Sequence, residues 1–169
     1  MPSRFRRGSA FVLAGAIAVL ALFAFGPLAS PASGATGSCP GSRIEHVPVK
    51  VGTTVLSYLN VYYDSSTGKN CARNDKTSVM AGNPSYTYVV LQRCSQTVPG
   101  SSCTVTAEQE DPALGAWDTW YVSYAGPVTV SAAGHCIHAM AASSDSWFQG
   151  PPLYTPYFGS TSPYASHCG

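Results

Sequence analysis

The chain has 169 residues, 45% of them hydrophobic and 10% charged, with nine basic residues against eight acidic ones. That length holds one domain with one core, not two. The near-neutral balance leaves no basic patch for a phosphate backbone and argues against nucleic acid as a partner.

Arg4, Arg6 and Arg7 open the chain, ahead of an apolar run over 10–25 and the small residues Ala29, Ser30, Ala32, Ser33 and Ala35. A basic start, a short apolar core and small residues at the cut make a secretory signal peptide. The run also falls short of the about 20 residues needed to cross a bilayer. Cleavage is expected after Ala35, with Ala32 as a second fit and an uncleaved anchor as the rival reading. Arg6-Arg7 invites a twin-arginine reading, but the apolar residues that should follow closely are missing, so ordinary secretion is expected. The organisation is thus a signal peptide over 1–35 and a single secreted β domain over 36–169. Three of the nine basic residues leave with the leader, so six face eight acids and the net charge becomes −2. No cysteine at the cut offers a lipid anchor, and Pro84 spoils the sequon Asn83-Pro84-Ser85.

The part behind the leader is rich in Ser, Thr, Gly, Val and Tyr and holds all ten tyrosines and all three tryptophans, a strand-and-turn composition. Residues 53–63 (TTVLSYLNVYY) predict the first strand, ended by the turn residues Asp64, Ser65, Ser66, Gly68 and Asn70. Residues 86–94 (YTYVVLQRC) predict the second and 103–109 the third, joined through Pro99-Gly100. If Cys94 pairs with Cys103 across this hairpin, Val90 faces Ala107 and Gln92 faces Val105 on a mostly apolar side. Thr104, Thr106, Glu108 and Glu110 then share the other side, opposite Arg93, Leu91, Val89 and Thr87.

Residues 119–124 and 128–132 predict a central antiparallel pair turning at Ala125-Gly126, with Pro127 tolerated at a strand start. A strand over 135–140 follows the Ala133-Gly134 turn. From 143 onward, Pro151, Pro152, Pro156 and Pro163 are interspersed with Trp147, Phe148, Leu153, Tyr154, Tyr157, Phe158 and Tyr164. Prolines at this density exclude helix and central strand, and the large apolar groups exclude a solvated tail. An extended segment laid over the sheet and pinned by Cys168 is expected. The sum is an all-β antiparallel sandwich or small barrel of roughly six to eight strands, disulfide-stapled, with an irregular Pro- and Tyr-rich C-terminal segment.

Six cysteines, Cys39, Cys71, Cys94, Cys103, Cys136 and Cys168, lie behind the leader, an even set that suits an oxidising compartment. Hairpin proximity pairs Cys94 with Cys103. Among the remaining combinations, Cys39–Cys71 and Cys136–Cys168 are preferred because each pins a poorly structured end to a strand. Zinc ligation is the rival, disfavoured by wide spacings and the absence of Cys-x-x-Cys.

No constellation specifies a reaction. His135 and His138, three residues apart on a strand, point to opposite faces, and His138 is expected in the core beside Cys136 and Met140. Glu108, Glu110 and Asp111 offer carboxylates of the glycosidase kind, but Glu108 and Glu110 fall among threonines, where a solvated sheet face explains them. No Gly-x-Ser-x-Gly elbow occurs, and oxidised cysteines are not nucleophiles. Catalytic residues, cofactors and metal ligands are therefore expected to be none. The tyrosines and tryptophans leave two readings open, core packing or exposed rings that stack on sugars. The stapled loop 95–102, with Val98 and Pro99 at its tip, has the preorganised form of a peptidase-inhibitor loop and equally that of a hairpin turn.

Three segments carry a family likeness: Tyr124-Ala125-Gly126-Pro127-Val128, Ala132-Ala133-Gly134-His135-Cys136-Ile137 and His167-Cys168-Gly169. With Gly68-Lys69-Asn70-Cys71-Ala72 they resemble the spore-associated protein A family of small secreted proteins from filamentous actinobacteria. The resemblance spans about Cys39 to Gly169. Two features depart from it: Trp117-Asp118-Thr119-Trp120 replaces a short acidic-Ser-Gly turn, and Cys94 with Cys103 adds to a four-cysteine framework. The resemblance implies a non-enzymatic protein of the spore or cell surface, with envelope components as partners and no reaction attached. A wall-glycan or peptidase-binding protein is the alternative, and a secreted hydrolase the third reading. Neither nucleic acid nor, once the leader is gone, membrane is an expected partner.

Overall fold

Residues 37–114, 116, 119–144 and 156–169 are described by the structure, a computed structural model. The expected leader and the aromatic stretch 147–154 lie outside them. Eight strands run through the described residues: β1 (Ser42–Val51), β2 (Thr54–Asp64), β3 (Lys69–Lys76), β4 (Thr87–Cys94), β5 (Val105–Asp111), β6 (Tyr124–Ser131), β7 (Ile137–Ser144) and β8 (Pro156–Ser160). They build two four-stranded antiparallel sheets, ordered β1-β2-β3-β6 and β5-β4-β7-β8. The architecture is the expected all-β sandwich, with open sheet edges and no closed barrel.

The core follows from strand alternation. Val49, Leu59 and Val61 from one sheet meet Val89, Leu91 and Ile137 from the other, all fully buried. Small residues fill the middle: Ala72, Ala125, Ala139 and Ala141. They let the layers approach closely enough for side chains to bond across the gap. The Asn74 amide nitrogen on β3 lies 3.1 Å from the Tyr88 carbonyl, 3.0 Å from the Ala142 carbonyl and 3.1 Å from Ser143 Oγ. Ser143 Oγ is also 2.7 Å from Ser57 Oγ on β2. These directional bonds fix how the sheets sit laterally, which non-directional apolar burial does not.

Several expectations are corrected by the pairing. No hairpin forms at Ala125-Gly126; β6 runs through it and pairs with β3 instead. The glycine there serves a bulge, since two residues, Gly126 and Pro127, oppose the single residue Arg73. Gly126 stands at φ 93, and a Cβ on it would lie 2.9 Å from the Ala72 carbonyl oxygen and 3.2 Å from Val89 Cγ1. The close approach of backbone and core therefore requires glycine.

The β4–β5 register also differs. Glu110 faces Val90, Glu108 faces Gln92 and Ala107 faces Arg93, with a bulge at Arg93/Cys94. An odd shift exchanges faces, so Val89 and Leu91 enter the core and Val90 takes the outer side. Cys103 sits before β5 rather than in its ladder. Three strands were not anticipated, β1, β3 and β8. β1 is an alternating run at the first sheet's edge, and β3 (KNCARNDK) lacks apolar alternation but is paired on both sides. β7 begins at Ile137, two residues later than expected, which leaves His135 in the preceding turn. The C-terminal segment contributes β8, an edge strand on β7, so proline's exclusion from central strands is respected.

Three disulfides join Cys39 to Cys71, Cys94 to Cys103 and Cys136 to Cys168. No described cysteine is free. Cys94 and Cys136 are fully buried and form a second cluster with Ala165, against which Cys103 and Cys168 pack.

Two outcomes follow. Asn74→Ala leaves buried carbonyls without their donor and is expected to lower unfolding stability by about 1–3 kcal/mol in urea titrations with the disulfides intact. The Cys136–Cys168 bridge spans 32 residues and Cys94–Cys103 spans nine, so restriction of the unfolded chain stabilises by about 3.7 and 2.6 kcal/mol respectively. Paired alanine substitutions should show the longer bridge costing about 1 kcal/mol more; equal losses would contradict the loop-length argument.

Candidate functional site

The residues singled out in the sequence do not assemble into a catalytic centre. Glu108 and Glu110 lie on the outer face of β5, each already bonded. Gln92 Nε2 donates to Glu108 Oε2 at 2.5 Å, Tyr88 Oη to Glu110 Oε2 at 2.6 Å and the Leu114 amide to Glu110 Oε1 at 2.6 Å. Asp111 accepts from Tyr121 Oη and, at 2.5 Å, from the Gly126 amide. These carboxylates tie β5 to its partner strand and to the neighbouring loop and strand residues. His138 is 2% exposed, but it faces away from the main core, beneath the C-terminal segment. Its ring stacks on Tyr164 with centroids 3.6 Å apart, and Nδ1 lies 3.3 Å from Thr161 Oγ1. Among the described residues, no three His, Cys, Asp or Glu side chains gather as metal ligands.

Loop 95–102 is tied down more firmly than a plain turn. Besides the Cys94–Cys103 bridge, Gly100 and Ala165 exchange backbone hydrogen bonds of 3.1 and 2.9 Å, and the Cys136 amide donates to the Gln96 carbonyl at 2.7 Å. Val98 at its tip is 68% exposed.

The most developed surface is elsewhere, on the outer face of the β1-β2-β3-β6 sheet. Leu59, Val61 and Ala72 point inward, so Tyr58, Asn60, Arg73 and Asp75 point outward. Register brings Tyr58, Asp75 and Tyr124 into one row, and His46, Asn60 and Arg73 into the next. A continuous chain of contacts crosses the sheet. The His46 ring stacks on Tyr58 with centroids 4.1 Å apart at 15°, and His46 Nδ1 donates to Asn60 Oδ1 at 2.7 Å. Asn60 Nδ2 donates to Asp75 Oδ2 at 2.7 Å, Asp75 Oδ1 pairs with Arg73 Nη2 at 2.7 Å, and the Arg73 guanidinium lies 4.5 Å over the Tyr124 ring. Each strand contributes at least one member. Sequence reasoning missed this site because its members come from four strands, two of them unanticipated. The one local signal was Tyr58 and Asn60 alternating with Leu59 and Val61.

The arrangement sets aromatic rings at both ends with the half-buried Asp75–Arg73 pair between them, tied together through the buried Asn60 amide. Its six side chains form one connected network across the four strands.

No family model, no curated protein and no solved structure matches the chain. Among the described residues no helix is long and apolar enough to cross a membrane. The three disulfides are compatible with an oxidising extracellular setting.

Buried titratable groups set a pH profile. Lys76 Nζ, on the inner side of β3, donates to the carbonyls of Asn83 at 2.7 Å and Tyr121 at 2.6 Å, and burial pushes its pKa down to about 8. From there to the ordinary value of 10.5, the unfolded chain holds a proton that the folded one has released, so stability rises with pH. Burial also lowers His138, so stability falls as pH drops through 6.5, where the unfolded imidazole takes up a proton first. Burial, with Glu110 and Asp111 respectively, raises Tyr88 and Tyr121, which removes stability above pH 10 as the unfolded phenols ionise. Melting temperature should therefore climb between pH 8 and 10. Lys76→Met is expected to flatten that climb and leave the acid limb in place, whereas His138→Phe should do the reverse. An unchanged slope in Lys76→Met would refute the assignment.

Proposed function

We propose that the chain is a non-enzymatic secreted protein of the cell or spore surface, retained by polysaccharide lying across the outer face of the β1-β2-β3-β6 sheet. The observation that carries this reading is the cross-strand chain from Tyr58 and His46 to Arg73 and Tyr124. A sugar ring has an apolar C–H face and a rim of hydroxyls. Flat rings beside fixed donors and acceptors complement both at once. Arg73 is neutralised by Asp75, so the surface suits an uncharged polymer, and its binding depends little on salt. The signal-like N-terminus and the disulfides support export. The likeness of the Tyr124-Ala125-Gly126-Pro127, Gly134-His135-Cys136 and His167-Cys168-Gly169 segments to the spore-associated protein A family supports the surface location.

One observation favours a second reading, inhibition of a peptidase, namely the doubly anchored loop 95–102. It ranks second because the Gly100 N–H and C=O, which an enzyme cleft would pair with, are already taken by Ala165.

The purified mature protein is expected to be retained by insoluble cell-wall and spore-coat polysaccharide, almost equally at low and high salt. Tyr58→Ala and Arg73→Ala should each weaken retention roughly two- to tenfold, because each removes a ring contact of about 0.5–1.5 kcal/mol. Full retention by the double variant would refute the reading.

A further inference from the structure

At one end of the sandwich the inter-sheet space opens into a concavity of about 190 Å³ lined by Ile44, Tyr63, Asn70, His167, Cys168 and Gly169. Tyr63 and Asn70 face each other across β2 and β3. A register shift in β1 between Arg43 and Glu45 turns Ile44 toward the core at this end. The last residues close the opposite side. Cys168 is bonded to Cys136, the Gly134 amide donates to the Gly169 carbonyl at 2.6 Å, and His167 Nε2 lies 2.9 Å from Glu45 Oε1. Among the described residues His167 is the one non-glycine at positive φ, 47°, a conformation the three flanking ties impose.

Asn70 is 3% exposed, and its carboxamide has no hydrogen-bond partner among the described residues. Its polar atoms are not among the fully enclosed unpaired ones, so they reach the cavity that the residue lines, where a bound group can pair with them in place of water. A carboxamide presents a donor beside an acceptor, and the group that complements both is another amide. Ile44 and the Cys136–Cys168 bridge supply an apolar wall of methyl-group scale, and the Tyr63 ring supplies a face for a sugar. An anion is disfavoured, because Glu45 places a carboxylate beside His167 at the rim. The volume suits one sugar unit rather than a larger ligand.

We propose that this pocket binds the N-acetyl group of an acetamido sugar. The inference rests on the polysaccharide reading above and names the sugar class. Geometry links the two sites: Arg43 and His46 stay on the outer face while Ile44 and Glu45 turn inward, and a shallow groove lined by these four joins face to pocket. A chain stacked near His46 thus places a ring substituent at the pocket mouth.

The test is titration of the mature, disulfide-intact protein with N-acetylated chitotetraose and with its de-N-acetylated counterpart, followed by calorimetry and by NMR of the Asn70 side-chain amide. The acetylated oligomer should bind at least about tenfold more tightly and shift the Asn70 NH₂ resonances. Asn70→Asp, which replaces the donor by an acceptor at constant shape, should abolish that preference. Tyr58→Ala should weaken both oligomers and keep the preference. Equal affinity for the two oligomers, or acetylated binding that leaves the Asn70 resonances unmoved, overturns the pocket assignment even if Asn70→Asp fails to fold. Absence of binding by both oligomers overturns it as well. Retention on wall polysaccharide measured in parallel then decides separately whether the outer-face reading survives.

Discussion

The fold depends on how closely β3 approaches the opposing sheet. Asn74 can reach the carbonyls of Tyr88 and Ala142 only because Ala72, Ala125, Ala139 and Ala141 leave little side chain between the layers. Gly126 extends the same logic to β6, where a single added carbon would press on the Ala72 carbonyl and on Val89. A thin core buries modest apolar area per residue, so directional bonds must supply the specificity that bulkier packing would otherwise give. That is why a strand written KNCARNDK sits at the centre of a sheet. Its inward positions bear a carboxamide, a methyl, a second carboxamide and an amine, and Asn74 and Lys76 find carbonyl partners there.

The staples then lie where the thin core ends. Cys39–Cys71 holds the segment before β1 against β3, and the other two bridges cluster with Ala165 under the C-terminal segment. With the ends secured covalently, the outer face of the first sheet carries no burden of core packing. Alternation asks only that its side chains be polar. A six-member network that fixes the rotamers of Arg73, Asp75, Asn60 and His46 exceeds that requirement and costs side-chain entropy. Preorganised planar groups are what a binding surface gains from such ordering.

The fold class was legible because it rests on local chemistry. The β-branched and aromatic density of residues 53–63 and 86–94 locates β2 and β4 to within a residue, and the turn from Asp64 to Gly68 ends β2. Disulfide partners were legible from proximity and from the need to pin loose ends. What failed was long-range. Ala125-Gly126 carries the local signature of a turn, and only pairing with β3 makes it a bulge. The β4–β5 register was inferred from Cys94 facing Cys103, but a bulge at Arg93/Cys94 displaces it and exchanges the faces of β4, while Glu108 and Glu110 of β5 stay on the outer side. The candidate surface was hidden for the same reason: Asn60, Arg73 and Asp75 look like ordinary outward polar residues until the β2–β3 pairing sets them side by side.

The pocket residues Asn70, His167 and Cys168 fall within segments singled out as motifs, although nothing in their spacing brings them together. The chain end does so, by folding back so that Gly169 bonds Gly134 and His167 meets Glu45. Cys94–Cys103 packs on the buried bridge that holds this end. Its short loop restricts the unfolded chain least, and in the folded state it lies against the bed on which Cys136–Cys168 rests. A rigid rim reduces the ordering that a bound group must impose. The short staple therefore lies at the end of the sandwich where the chain end is held, with loop 95–102 as the connection that carries it.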